Sequence, residues 1–220
     1  MLARCFTLGV LGSLWVSSPA GAGPNAESRV WAHVVAKGAP EVVTGYDQVL
    51  TEVPGLGTFD VIVYASEISS TEGIAAIEFK VVCDPAPDSG IDVLEWHAYG
   101  DIDWTAFGGG LFSDGELVTS WATGGEFGCP TENFMPIGRL RVRVHSTDTL
   151  HLVGSQRYGG RVVVASCNTD ESHPIEDKIK AENLGWVGFG GASGFLPFSI
   201  DHAKVVLMEP CTWGHLKARY

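Results

Sequence analysis

The chain has 220 residues, with 26 Asp and Glu against 14 Lys and Arg, and a net charge of −12. So acidic a chain repels phosphate backbones and anionic lipid, which sets aside nucleic acid and membrane surfaces as partners. The length suits one β-sandwich-sized domain, no composition break marks a second, and no Cys-x-x-Cys or His-Glu-x-x-His spacing points to zinc.

Residues 1–22 read as a removable signal peptide. Arg4 supplies a positive start, residues 6–16 an apolar run, and Ala20-Gly21-Ala22 a small-residue cleavage pattern, so cleavage is expected after Ala22. The run of about 11 residues is too short for a bilayer, which takes roughly 20. Residues 23–220 are then expected as a single domain that is secreted, periplasmic or at the cell surface, without membrane insertion. Removing the leader takes Cys5 with it and leaves Cys83, Cys129, Cys167 and Cys211. An even number in an exported chain implies two disulfides. Three pairings are open, and proximity in the chain favours Cys83 with Cys129 and Cys167 with Cys211.

In chain order, residues 23–28 read as a flexible lead-in. Residues 29–36 (RVWAHVVA) alternate as an opening strand, with His33 and His145 both at positions expected to face solvent. Residues 37–57 are punctuated by Gly and Pro, with a short strand over 49–53. Residues 58–66 (TFDVIVYAS) and 74–82 (IAAIEFKVV) are β-branched and aromatic and read as two neighbouring strands. In the first, Phe59, Val61 and Val63 share a face. In the second, Ile77, Phe79 and Val81 do, opposite Ala76, Glu78, Lys80 and Val82. Residues 93–96 add a third strand. Residues 97–110 (HAYGDIDWTAFGGG) read as a loop, 116–122 as a strand and 124–136 as a long loop.

Residues 138–146 (GRLRVRVHS) are the clearest alternating strand, with Leu140, Val142 and Val144 inward and Arg139, Arg141 and Arg143 toward solvent or acidic neighbours. Residues 149–153 and 161–166 continue the pattern. Residues 174–180 have a helical look, 184–198 (LGWVGFGGASGFLPF) read as a Gly-rich aromatic loop, and 203–208 as a last strand. Many short strands with almost no helix predict an all-β fold, an antiparallel two-sheet β-sandwich.

Catalytic patterns are sparse. Gly191-Ala192-Ser193-Gly194-Phe195 breaks the G-x-S-x-G elbow at its last position, and Gly188 with Gly190 lacks the third glycine of a nucleotide loop. The acidic pairs Asp101/Asp103 and Asp114/Glu116 are read as solvated turns; Asp101 and Asp103 are the weak calcium candidates, since calcium needs more oxygen ligands than either pair offers. No other cofactor is expected. Trp104 and Phe107, and Trp186 and Phe189, sit among glycines and are the candidate binding residues, because loop aromatics can stack on flat apolar faces while neighbouring polar groups take hydrogen bonds. Trp96 and Trp121 lie on strands and are read as core.

With these segments in place, the run TFDVIVYAS, then GIAAIEFKVVCDP, then VLEW, then PIGRLRVRV resembles cohesin-type modules, the secreted β-sandwiches of scaffoldin proteins. The resemblance spans residues 58–153; from about 154 the chain carries a cysteine-bearing C-terminal extension. It implies a jelly-roll sandwich and a non-enzymatic role in docking a protein module or acting beside carbohydrate-binding modules. The expected function is therefore a non-catalytic recognition or adhesion module for a protein or polysaccharide ligand outside the cell. The alternatives are a glycan-active hydrolase on the same scaffold, using Asp101 or Asp103, and a structural envelope protein.

Overall fold

The computed structural model describes residues 23–37, 39–83, 90–99, 117–122, 131–155, 158–167 and 176–197, with the side chains of 117–122 left out of that description. The strands are β1 (Arg29–Val35), β2 (Glu52–Val53), β3 (Gly57–Ser66), β4 (Ile74–Cys83), β5 (Ile91–Ala98), β6 (Leu117–Ala122), β7 (Met135–Val144), β8 (Asp148–Val153), β9 (Val163–Ser166), β10 (Glu176–Lys178) and β11 (Trp186–Phe189). They form the expected all-β sandwich. One sheet has the order β1-β3-β7-β5 and is antiparallel throughout. The second runs β10-β9-β4-β8-β11-β2 with β6 also on β4; its one parallel pair is β11 with β2.

The register explains how β4 takes three partners. Ala76 to Val81 face β6 on one edge. On the other, Ile74 to Glu78 pair with β9 and Lys80 to Cys83 with β8. Strands β8 and β9 are therefore one line of chain interrupted by residues 154–162. That excursion is pinched at its base, where Ser155 bridges Arg161 and a side chain on Gly154 would overlap the Arg161 backbone.

Period-two alternation places the core. Val61, Val63, Ile77, Phe79, Leu140, Val142, Leu150 and Val164 meet between the sheets. A fully buried Phe or Leu contributes about 1.5–3 kcal/mol. Trp96 belongs to this core, edge-on to Phe79 at 5.8 Å and lying over Gly138, where any side chain would collide with the indole.

Several expectations change. Strands β3 and β4 are not neighbours but lie in opposite sheets. The connection, with Glu67 and Gly73 at positive φ (55° and 60°), carries the chain across the sandwich. Facing one another, both apolar faces are buried, whereas side by side they would still need a cover. The helical reading fails over 176–180, the part of that stretch within the described residues, because the backbone of β10 bonds to β9 and the 3-10 turn that follows covers Ala181–Asn183. The Gly-rich stretch 184–198 contains β11 rather than being loop alone. Residues 23–28 are a turn with Asn25, Ala26 and Ser28 buried, not a flexible lead-in. His33 is 0% exposed.

The alternating strand β7 is as expected. Asp60 takes Arg141 through Nε and Nη2 at 2.9 and 3.2 Å, Arg141 also meets Glu95 at 3.7 Å, and His145, half exposed, meets Asp92 at 2.7 Å. Cys83, half-buried at the end of β4, is present as the thiol, against the expected bridge to Cys129. Cys167 is disulfide-bonded. Cys129, Cys211, the strand expected over 203–208, and Asp101, Asp103, Trp104, Phe107, Asp114 and Glu116 lie outside the described residues.

Candidate recognition surface

The two sheets differ in what covers their outer faces. On β1 and β3, Trp31, Ile62 and Tyr64 point away from the main core, yet they are buried under residues 39–50 with Val43 and Leu196. Trp31 and Tyr64 stack at 4.7 Å with 9° between planes, and Phe134 and Tyr46 close the cluster edge-on. Polar tips are satisfied within it: Trp31 Nε1–H donates to Ser66 Oγ at 2.8 Å, and Val43 N–H donates to the Tyr64 hydroxyl at 3.2 Å. Burial raises the Tyr64 and Tyr46 phenols above the ordinary tyrosine value.

His33 fastens this cover. Its Nδ1 accepts the Leu50 N–H at 2.9 Å, so the proton sits on Nε2, which donates to the Pro40 carbonyl at 2.8 Å. Burial lowers its pKa below the ordinary 6.5, partly offset by the Pro40 hydrogen bond. The covering segment also borders an apolar cavity of about 540 Å³ lined by Val42, Val43, Tyr99, Phe134, Met135 and neighbours.

On the second sheet, one row of side chains crosses the outer face. Val82 of β4 pairs with His151 of β8, His151 with Trp186 of β11, and Trp186 with Phe195. Their chain neighbours Val81, Leu150 and Val187 face the core, so this row faces out. The rings are aligned: His151 to Trp186 at 5.4 Å and 32°, and Trp186 to Phe195 at 4.4 Å and 24°. Phe195 is 38% exposed. The ladder orients each member, with Thr149 Oγ1 at 2.9 Å from His151 Nε2 and the indole N–H donating to the Ser193 carbonyl at 3.2 Å.

The glycines build this row. Residues 186–195 form a hairpin in which Trp186 and Phe195 exchange both backbone hydrogen bonds, at 3.0 and 2.8 Å. Gly190 and Gly191 make the reversal with φ of 63° and 95°, which other residues adopt only with strain. Gly188 leaves room for the Ala192 carbonyl where a side chain would stand.

The expected binding residues therefore separate. Trp186 is half-buried on the outer face at the centre of the row. Phe189 is 0% exposed and packs on Phe59 at 5.5 Å inside the sandwich, so it is a core residue and not a surface aromatic. His151 and Phe195 were not among the expected site residues. The signal for Phe195 was present: two aromatics nine apart flanking Gly-Gly read as a hairpin that sets both on one face. For His151 the pairing of β8 with β11 was needed. Among the described residues no three His, Cys, Asp or Glu side chains converge as metal ligands, and no helix is long and apolar enough to cross a membrane.

No family model and no curated protein matches the chain. Solved structures do. The sixth cohesin of scaffoldin B from Acetivibrio cellulolyticus, solved in complex with a dockerin mutant, aligns at 14% identity and a TM-score of 0.45 over 74% of this chain and 99% of its own. A cohesin module from a family 33 glycoside hydrolase of Clostridium perfringens aligns at 10% and 0.41, over 74% and 97%. The seventh type I cohesin of ScaB from Pseudobacteroides cellulosolvens aligns at 16% and 0.36, over 77% and 96%. All three are cohesin modules, the family that the sequence resembles.

Proposed function

We propose that this chain is a non-catalytic recognition module that binds a protein partner across the outer face of the second sheet, on the row Val82, His151, Trp186 and Phe195. The observation that carries this reading is the aligned stack itself. Large aromatics on an outward face, held in one orientation by a hairpin and a cross-strand ladder, are a preorganised apolar contact, and aromatic anchors dominate protein interfaces. A sugar platform would need an open ring face, but Trp186 lies between His151 and Phe195 with both faces occupied. What the row presents outward is the edge of Trp186 beside the part-exposed ring of Phe195, which suits apolar side chains of another protein. With a net charge of −12, the chain steers toward a partner whose contact surface is apolar with basic residues around it. This is also the role that the cohesin resemblance implies, and it keeps the partner outside the cell.

A photo-reactive residue in place of Phe195 tests it. Cross-links to a protein from the exterior fraction are expected from position 195 and not from exposed Leu94 on β5 of the other sheet. Equal cross-linking from both positions would count against the reading. Binding on a glycan array that disappears in Trp186→Ala would replace it with a carbohydrate-binding one.

A further inference from the structure

Asp177 stands opposite Val164 in the β10–β9 ladder, and Val164 is a core residue, so the carboxylate points into the sandwich. It is 0% exposed. One oxygen, Oδ2, accepts the Asn25 N–H at 2.8 Å and faces the Ser166 hydroxyl at 3.4 Å. The other, Oδ1, is buried with no hydrogen-bond partner. A buried carboxylate left half satisfied is expensive unless a cation meets it. No side-chain cation among the described residues does: Lys178 alternates to the opposite face of β10, and Lys180 is held by Glu27 at 2.6 Å.

What does meet Oδ1 is Gly23. A side chain on Gly23 would overlap the Asp177 carboxylate, Oδ1 first. Oδ1 therefore lies against the α-carbon of Gly23, and the α-nitrogen is one bond of about 1.46 Å away. The turn that places it there is closed by the Ala26 N–H donating to the Gly23 carbonyl at 3.1 Å, and is locked by Asn25 Nδ2, which donates to Gly73 O and Ser166 Oγ, both at 2.9 Å. Gly23 is also the first residue after the cleavage expected at Ala22.

We propose that Asp177 is the counter-ion of the α-ammonium created when the leader is cut off between Ala22 and Gly23. While the leader is attached, position 23 offers a neutral amide, and Asp177 keeps an uncompensated charge at the end of the core. Cutting supplies an ammonium with three donors at the one place where a buried acceptor lacks a partner. Folding is thus completed by processing: the precursor is the less stable form, and the cut chain is the stable one. Only glycine can serve at position 23, because any side chain would displace the carboxylate.

The test uses the full-length chain with a site-specific protease sequence inserted immediately before Gly23, so that cutting leaves the native glycine amine. Cutting is expected to raise Tm by roughly 5 °C or more, and Asp177→Asn is expected to abolish that rise. The Gly23 amine of the folded cut chain should acylate at least tenfold more slowly than the amine of the same chain in denaturant. That readout needs no variant, so it holds even if Asp177→Asn fails to fold. An unchanged Tm, an equal rise in Asp177→Asn, or an amine that reacts at the denatured rate would overturn the ion pair. When the unaltered gene is exported from a secreting bacterial host, an intact mass starting at Gly23 is expected, and a product starting at any other residue would overturn the processing step.

Discussion

On one sheet, residues 39–50 fold over Trp31 and Tyr64 and bury both; on the other, Trp186 and Phe195 stack on each other and keep contact with solvent. Both faces carry a close aromatic pair, at 4.7 and 4.4 Å between ring centroids. What separates them is the chain that follows. The loop over Trp31 brings Val43, Tyr46 and the hydrogen bonds of His33, and so becomes a second core. The hairpin under Trp186 brings glycines, which reverse the chain tightly and cover nothing. An aromatic pair is thus either structural or available to a partner, depending on what its neighbours can lay over it.

The largest expected effect is at the covered pair. Trp31 is among the largest fully buried side chains, and Trp31→Ala should cost about 3–5 kcal/mol in denaturant unfolding, as large aromatic truncations in cores do. A loss below about 1 kcal/mol would mean that residues 39–50 are a loose flap rather than a core layer.

The fastening of that cover comes next. His33→Ala leaves the Leu50 N–H and the Pro40 carbonyl without their partner, a cost of about 1–3 kcal/mol. The wild-type histidine also makes the cover acid-sensitive. Its folded pKa is lowered, so the unfolded chain takes up the proton first as pH falls, and the fold loses stability from about pH 6.5 downward until the folded histidine also protonates. Urea midpoints across this window should fall for the wild type, and the part of that slope due to position 33 should be missing in His33→Gln.

How much of this contrast could be read from the chain follows from the range of the forces involved. Alternation is local, so β1, β3, β4 and β7 and the inward set of Phe79, Val142 and Leu140 were legible residue by residue. Which strands face each other is not local. TFDVIVYAS and IAAIEFKVV look like a hairpin because they are adjacent, and only the competition to bury both apolar faces sends them to opposite sheets. His33 fell at an outward position by alternation, but a loop 7 to 17 residues further on buries it. The same kind of distant cover decides the aromatics: Phe189 is adjacent in type and setting to Trp186, yet one step of β-alternation from Gly188 places it in the core against Phe59.

Where the cover of the first sheet ends, charge takes over. Asp60 is next to Ile62 on the same strand face but meets Arg141 and Arg139 instead of a loop. These side chains are 27–41% exposed, so water and salt screen them, and Asp60→Asn should cost only about 0.2–1 kcal/mol. A thermal unfolding series in rising salt should shrink that difference further; a cost that persisted at 1 M salt would show that the pair is shielded as the Trp31 cluster is.

The smallest effect on stability is expected at the uncovered pair, and there the comparison is sharpest. Phe195 sits past the hairpin turn, already 38% exposed, so Phe195→Ala removes contact with one face of Trp186 and little else. Its unfolding free energy should stay within about 1 kcal/mol of wild type, the scale of an aromatic pair beyond its buried area. Partner affinity, by contrast, should fall by about tenfold or more, because truncating an aromatic anchor at the centre of an interface removes contacts that exist only in the complex. Measured side by side with Trp31→Ala, the two substitutions should invert: one protein that unfolds easily but binds normally once folded, and one that is stable but no longer binds. If Phe195→Ala instead unfolded as readily as Trp31→Ala, the outer row would be a core layer like the one on the opposite sheet, and the recognition surface would have to lie elsewhere.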